Sequence, residues 1–183
     1  GYNDSLQLAY TYDNNGDVGF TESYFAHKFL GAELNGQFYH PNNNEDFKAH
    51  YNAWTWGNTS LPLLFSPGDD GQKYRKMTAG LNWREDWSAV NDSNNQHSGT
   101  YIHELLNDPG NRSDLVSVGP FPTINPGESI NVAFAIVCAK KFEDGNPNGD
   151  NTALQQSNLI ENATWAQSAY LGEDVNGDGI LDP

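Results

Sequence analysis

The chain has 183 residues, with nine Lys plus Arg against 24 Asp plus Glu and a formal charge of −15. A surface that tracks phosphates needs the opposite sign, which excludes nucleic acid as a partner, and no apolar run approaches the roughly 18 to 20 residues of a membrane span. Polarity comes from 23 Asn, 18 Gly and 21 Ser plus Thr rather than from charge, a loop-rich and β-leaning composition, while 13% aromatic residues supply area for a core.

Leu6, Leu8, Tyr10 and Tyr12 alternate with Gln7, Ala9 and Thr11, the period of a half-buried strand. Apolar runs at Tyr24 to Leu30 and His50 to Trp56 end at the turn residues Gly31 and Gly57-Asn58. Leu61 to Phe65, Tyr74 to Leu81 and Leu115 to Phe121 are further strand candidates, separated by stretches such as Pro67-Gly68-Asp69-Asp70-Gly71. From Asn82 to Ser113 the chain is polar and irregular, which reads as a long decorated loop. Asn125-Pro126-Gly127-Glu128 fits a type II turn. After it, Ser129 to Cys138 is apolar on both faces, which predicts a central strand and a buried Cys138 thiol. One cysteine permits no intramolecular disulfide.

From Thr152 the period changes. Leu159, Ala163, Ala166 and Tyr170 fall at i, i+4, i+7 and i+11, which predicts an amphipathic helix over about 152–171, started near Asp150-Asn151 and stopped at Gly172. The predicted fold is mainly β: one antiparallel β-sandwich, jelly-roll or Ig-like, over residues 1–172 with this one C-terminal α-helix, then a tail over 173–183.

That tail carries the most specific motif. Asp174-Val175-Asn176-Gly177-Asp178-Gly179-Ile180-Leu181-Asp182 matches D-x-[DN]-x-[DN]-G, with a further carboxylate at the ninth position. The oxygens of Asp174, Asn176, Asp178 and Asp182, with the Ile180 carbonyl, recur at every second position, and hard oxygens at that spacing select Ca2+. The acid usual at the twelfth position falls beyond the sequence. Asp144, Asn146, Asn148 and Asp150 repeat the spacing with only two carboxylates. Asp13, Asn15 and Asp17 repeat it with the Gly one residue off. The alternative for each is an Asn/Gly turn held by its own side chains without metal. Seven of the 24 acids lie in these three segments.

Motifs for catalysis are missing. There is no G-x-S-x-G, no G-x-x-x-x-G-K-[ST] and no dinucleotide fingerprint. His103-Glu104 lacks a second His four residues on, and the five histidines share no ligand spacing. Some pair among 24 acids will stand at the distance a glycosidase needs, so hydrolysis is the remaining enzymatic option, with little to single it out.

Trp54 and Trp56 lie two apart on a predicted strand and share a face, which suits either a sugar platform or the core. Five N-x-S/T sequons, at Asn3, Asn58, Asn91, Asn111 and Asn162, permit glycosylation in a secretory setting.

The tail loop resembles those of dockerins and thrombospondin type 3 repeats. The phrases Val118-Gly119-Pro120-Phe121, Asn125-Pro126-Gly127-Glu128-Ser129 and Ala133-Phe134-Ala135-Ile136-Val137, followed by a helix, resemble the closing β-sandwich modules of large secreted bacterial surface proteins, over roughly residues 114–171. The resemblance implies a secreted or cell-surface location rich in calcium, and a non-catalytic structural module of a surface or self-assembling fibrous protein. A strand directly after the first residues and a calcium motif in the tail suggest joints to neighbouring domains or identical subunits at the chain ends, the Leu6 to Tyr12 strand pairing with a neighbour's sheet. The alternative is a carbohydrate-binding module of a secreted glycan-active system, with glycans as partners.

Overall fold

The computed structural model describes residues 1–12, 22–54, 68–79, 112–142 and 151–172. The chain is mainly β, with antiparallel sheets and a C-terminal helix, and divides into two compact units, Gly1–Glu45 with Phe121–Pro183, and Asp46–Pro120.

The first unit is built on one antiparallel sheet of β1 (Tyr2–Asn3), β2 (Leu8–Tyr12), β3 (Ser23–Leu34), β4 (Gln37–Tyr39) and β7 (Ile130–Lys140). The 12-residue β3 is its axis: β2 and β4 pair along one side and β7 along the other. Asn35 and Gly36, at φ 53° and 77°, make the two-residue turn into β4, a conformation that these residue types tolerate best. Between Phe29 and Gly31 the register against β7 shifts, so Leu30 is an extra residue on β3.

One face of this sheet packs on helix α2 (Ser157–Leu171). Leu8, Tyr10, Tyr24, Ala26, Val137 and Ala139 meet Leu159 and Ala163 in a buried cluster, with Ala166 packed against it. Leu159, Ala163 and Ala166 of the predicted apolar stripe therefore face the sheet, whereas Tyr170 at its end is 40% exposed. Its start is later than the sequence suggests. Thr152 N donates to Gln155 Oε1 and Gln155 N to Thr152 Oγ1, a reciprocal cap that closes a first turn before the regular helix begins at Ser157.

Three sequence expectations are corrected here. Leu6 is not on the first long strand: Asp4–Leu6 form a 3-10 turn capped by Asn3, and Gln7 leaves it at φ 47°. That turn folds β1 back onto β2, where Gly1 and Tyr10 exchange backbone hydrogen bonds. Leu8 to Tyr10 of the strand expected to pair with a neighbour are therefore already paired on both sides within this chain. β7 is not central, because among the described residues only β3 pairs with it. Its Val137 and Ala139 face the helix, but Val132, Phe134, Ile136 and Cys138 are exposed on the other face, so the Cys138 thiol is not buried. Apolar alternation records two apolar faces; it does not record whether a second layer covers both.

The second unit pairs β5 (Lys48–Trp54) antiparallel with β6 (Ser113–Gly119). Of the segment Tyr74 to Leu81, expected as a strand, the described residues Tyr74 to Ala79 instead belong to helix α1 (Asp70–Ala79). Its start is fixed by side chains: Gln72 N donates to Asp69 Oδ1, and Gln72 Oε1 accepts from Gly68 N. This arrangement satisfies backbone donors that an extended segment would have to pair elsewhere.

Candidate functional site

All twelve residues of the three acidic motifs lie outside the described residues, as do Trp56, Asn58, Asn91 and Asn111. The residues that flank two of the motifs are described, and they meet. Tyr12 stands opposite Tyr24, Ser23 stands opposite Lys140, and Lys141 N donates to Glu22 O at 2.9 Å. Segment 13–21 therefore leaves and rejoins the sheet at the same end from which segment 143–150 departs.

That corner is braced. The rings of Tyr10, Tyr12 and Tyr24 lie 5.8 to 6.2 Å apart. Tyr24 Oη donates to Asn151 Oδ1 at 2.9 Å, and Asn151 Nδ2 donates to Tyr10 Oη at 3.2 Å. Lys141 sets its ammonium 5.0 Å over the Tyr12 ring and 5.9 Å over that of Tyr24. Burial, then the neighbouring Tyr10 and Tyr12, pushes the Tyr24 phenol up to about 12, so it remains a donor to Asn151 at any ordinary pH. The third motif starts elsewhere. Fifteen residues of α2 carry the chain about 22 Å along the sheet, to where Gln167 Nε2 donates to Leu30 O and Tyr170 lies 6.4 Å from Phe38 of β4.

A buried polar cluster in the same unit was not legible in the sequence. Lys28, in a strand and almost fully buried, donates from Nζ to Leu6 O at 2.6 Å, and burial pulls its pKa down to about 8. His40 stacks on Phe29 at 5.6 Å and Phe38 at 6.3 Å, accepts at Nδ1 from Asn42 N, and leaves Nε2 without a hydrogen bond. Burial and then the charge of Lys28 lower its pKa. Gln7 donates to Asp4 O at 2.6 Å. The Lys28 bond, with Phe29 N donating to Gln7 O at 3.1 Å, ties the 3-10 turn to β3.

In the second unit Trp54 is half-buried, and one face of its ring carries the Lys76 ammonium at 4.8 Å. Lys76 is buried, its pKa is pulled down to about 8, and its carbonyl accepts from Nδ2 of the fully buried Asn52 at 2.9 Å. The cation occupies a ring face that a sugar would need. Of the described sequons, Asn3 accepts at Oδ1 from Leu6 N and Ser5 Oγ. Asn162, on α2, donates to Cys138 O at 2.9 Å.

Among the described residues no three His, Cys, Asp or Glu side chains gather into a group that could hold a metal ion, and no helix is long and apolar enough to cross a membrane. Comparison with protein-family models, with curated proteins and with solved structures finds no match to this chain.

Proposed function

We propose that the chain is a calcium-stabilised, non-catalytic structural module of a secreted cell-surface or fibrous protein, of the antiparallel β-sandwich class with one C-terminal helix. The observation that carries this reading is the shared corner. The flanks of two oxygen-rich motifs, Asp13-Asn15-Asp17 and Asp144-Asn146-Asn148-Asp150, are held together by Tyr12, Tyr24, Lys141 and Asn151. Segments anchored on a braced corner lose less entropy when they close on an ion than segments on a free chain. The tail motif, Asp174 to Asp182, follows Gly172 at the far end of α2, where an ion would stiffen the segment after the helix. Three ions would bring the formal charge from −15 to −9.

The test is a calcium titration by calorimetry, paired with thermal melts in calcium and in chelator. Saturable binding and a melt lowered by chelation are expected, since a ligand that binds only the native state stabilises it by mass action. No heat of binding together with an unchanged melt would leave the three motifs as metal-free Asn/Gly turns.

A further inference from the structure

We infer that the outer edge of β7 is a docking surface for a second copy of this chain, joined strand to strand about a two-fold axis. The inference rests on the sheet edge alone and is independent of the calcium reading. β7 is 11 residues long and, among the described residues, pairs on one side only. Lys141 N points toward β3, at Glu22 O, whereas the carbonyls of Cys138 and Lys140 point outward, where Asn162 and Asn158 of α2 reach them. Antiparallel alternation then turns the N–H and C=O groups of Val132, Phe134 and Ile136 to the same open edge.

The side chains of those residues add an apolar surface. Val132, Phe134 and Ile136 are 42, 45 and 66% exposed, and Phe25, opposite Cys138 in the register, is 52% exposed. A long edge strand with an open apolar face is what other strands pair with, unless it is blocked. Asn158 and Asn162 block only its last turn of carbonyls.

Charge selects the occupant. No charged residue occurs from Ser129 to Ala139, in a chain that carries −15, so the strand itself adds no like-charge repulsion when two copies meet on it. The charges that bound the strand have opposite signs, Glu128 before it and Lys140 at its end. With Phe134 placed opposite the same residue of the second copy, Val132 faces Ile136 and Glu128 faces Lys140, each twice. The central pairs of that register use only the edge groups that the two asparagines leave open. Glu128 is held in position by Asn125 N at 2.8 Å and Asn35 Nδ2 at 3.2 Å. Such rim charges fix register more than they add affinity. The interface is self-complementary and closed, so it yields dimers and not filaments.

Sedimentation velocity of the full chain over a concentration series is expected to show a monomer–dimer equilibrium. Ile136→Lys and Val132→Lys, both at exposed positions, should each raise the dissociation constant at least about tenfold. Phe134→Cys in a Cys138→Ser background should form a disulfide-linked dimer on oxidation, since facing residues of a bonded antiparallel pair stand about 5.5 Å apart, within disulfide reach. Thr11→Cys in the same background should not. A chain that stays monomeric, a dimer that both lysine variants leave intact, or a Phe134→Cys protein that does not cross-link would each overturn the inference.

Discussion

Asn162 Nδ2 donates to the Cys138 carbonyl oxygen at 2.9 Å, from the flank of α2 to the outer edge of β7. Asn158 makes the equivalent bond to Lys140 O at 3.0 Å one helical turn earlier. The two amides occupy edge acceptors that would otherwise be offered to another strand. Asn162→Ala should lower stability by about 1 kcal/mol, the usual net value of one such bond, which is about 2–4 °C in melting temperature for a chain of this size. It should also strengthen self-association. Melts and sedimentation on the same preparation measure both effects.

The nitrogen that bonds Cys138 O is also the one a glycan would use. Expression in a glycosylating host should therefore leave Asn162 unmodified in the folded protein, while Asn3, which uses only its oxygen in hydrogen bonds, accepts a glycan. Peptide mass spectrometry distinguishes the two sites.

Stability should peak near pH 10. Lys28 and Lys76 have folded pKa values of about 8, below their unfolded value of about 10.4. Between those limits the unfolded chain binds more protons than the folded one, so stability rises with pH from about 8 to 10. Above 10 the sign reverses. Tyr24, raised to about 12 by burial, and Tyr2 and Tyr12, also raised by burial, stay protonated in the fold while the unfolded phenols ionise. Below about 6.5 the buried His40, with its lowered pKa, makes stability fall as the unfolded imidazole takes up protons. Melts from pH 5 to 11 should trace this dome, and Lys28→Met should flatten the rise between 8 and 10.

Asn151→Ala should remove both hydrogen bonds to the tyrosine corner, leaving the hydroxyls of Tyr10 and Tyr24 without that partner. A loss of about 1 kcal/mol per bond is expected from thermal or urea denaturation. The calcium response should weaken with it, because the flanks of segments 13–21 and 143–150 are no longer held together.

Gly31→Ala should destabilise through a clash. A Cβ at Gly31 would strike the edge of the Phe38 ring and lie 3.0 Å from Tyr170 Cε1, so two packed rings must move. Overpacking of that kind costs about 1–3 kcal/mol, and the urea midpoint should fall accordingly.

The sequence makes the first part of β3, β6 and the buried stripe of α2 legible, because alternation and helical spacing survive wherever one neighbouring layer decides burial. Gly31, read as a turn residue, lies within β3, which continues to Leu34. Tyr74 to Leu81 misleads because Tyr74 and Met77 are exposed apolar residues on a helix, not the inward face of a strand. The signal that identifies this helix is Asp69 with Gln72 three residues on. The open face of β7 has no local signature, since its exposure follows from strand order. Lys28 is invisible for the same reason: a lysine between apolar neighbours on a strand reads as a solvent-facing position, and only the carbonyl of Leu6, delivered by the 3-10 turn, makes its burial tolerable.

The pairing of β3 with β7 runs from Leu34 opposite Ile130 to Ser23 opposite Lys140, partners 96 and 117 positions apart. Closing a loop of that length must precede any gain from the pairing, which places this step late in folding. The second unit, Asp46–Pro120, is one uninterrupted stretch inside that loop and can form first. During synthesis, β2, β3 and β4 therefore wait with the far side of β3 uncovered until β7 emerges. In that interval the nascent chain is most open to pairing with the wrong strand.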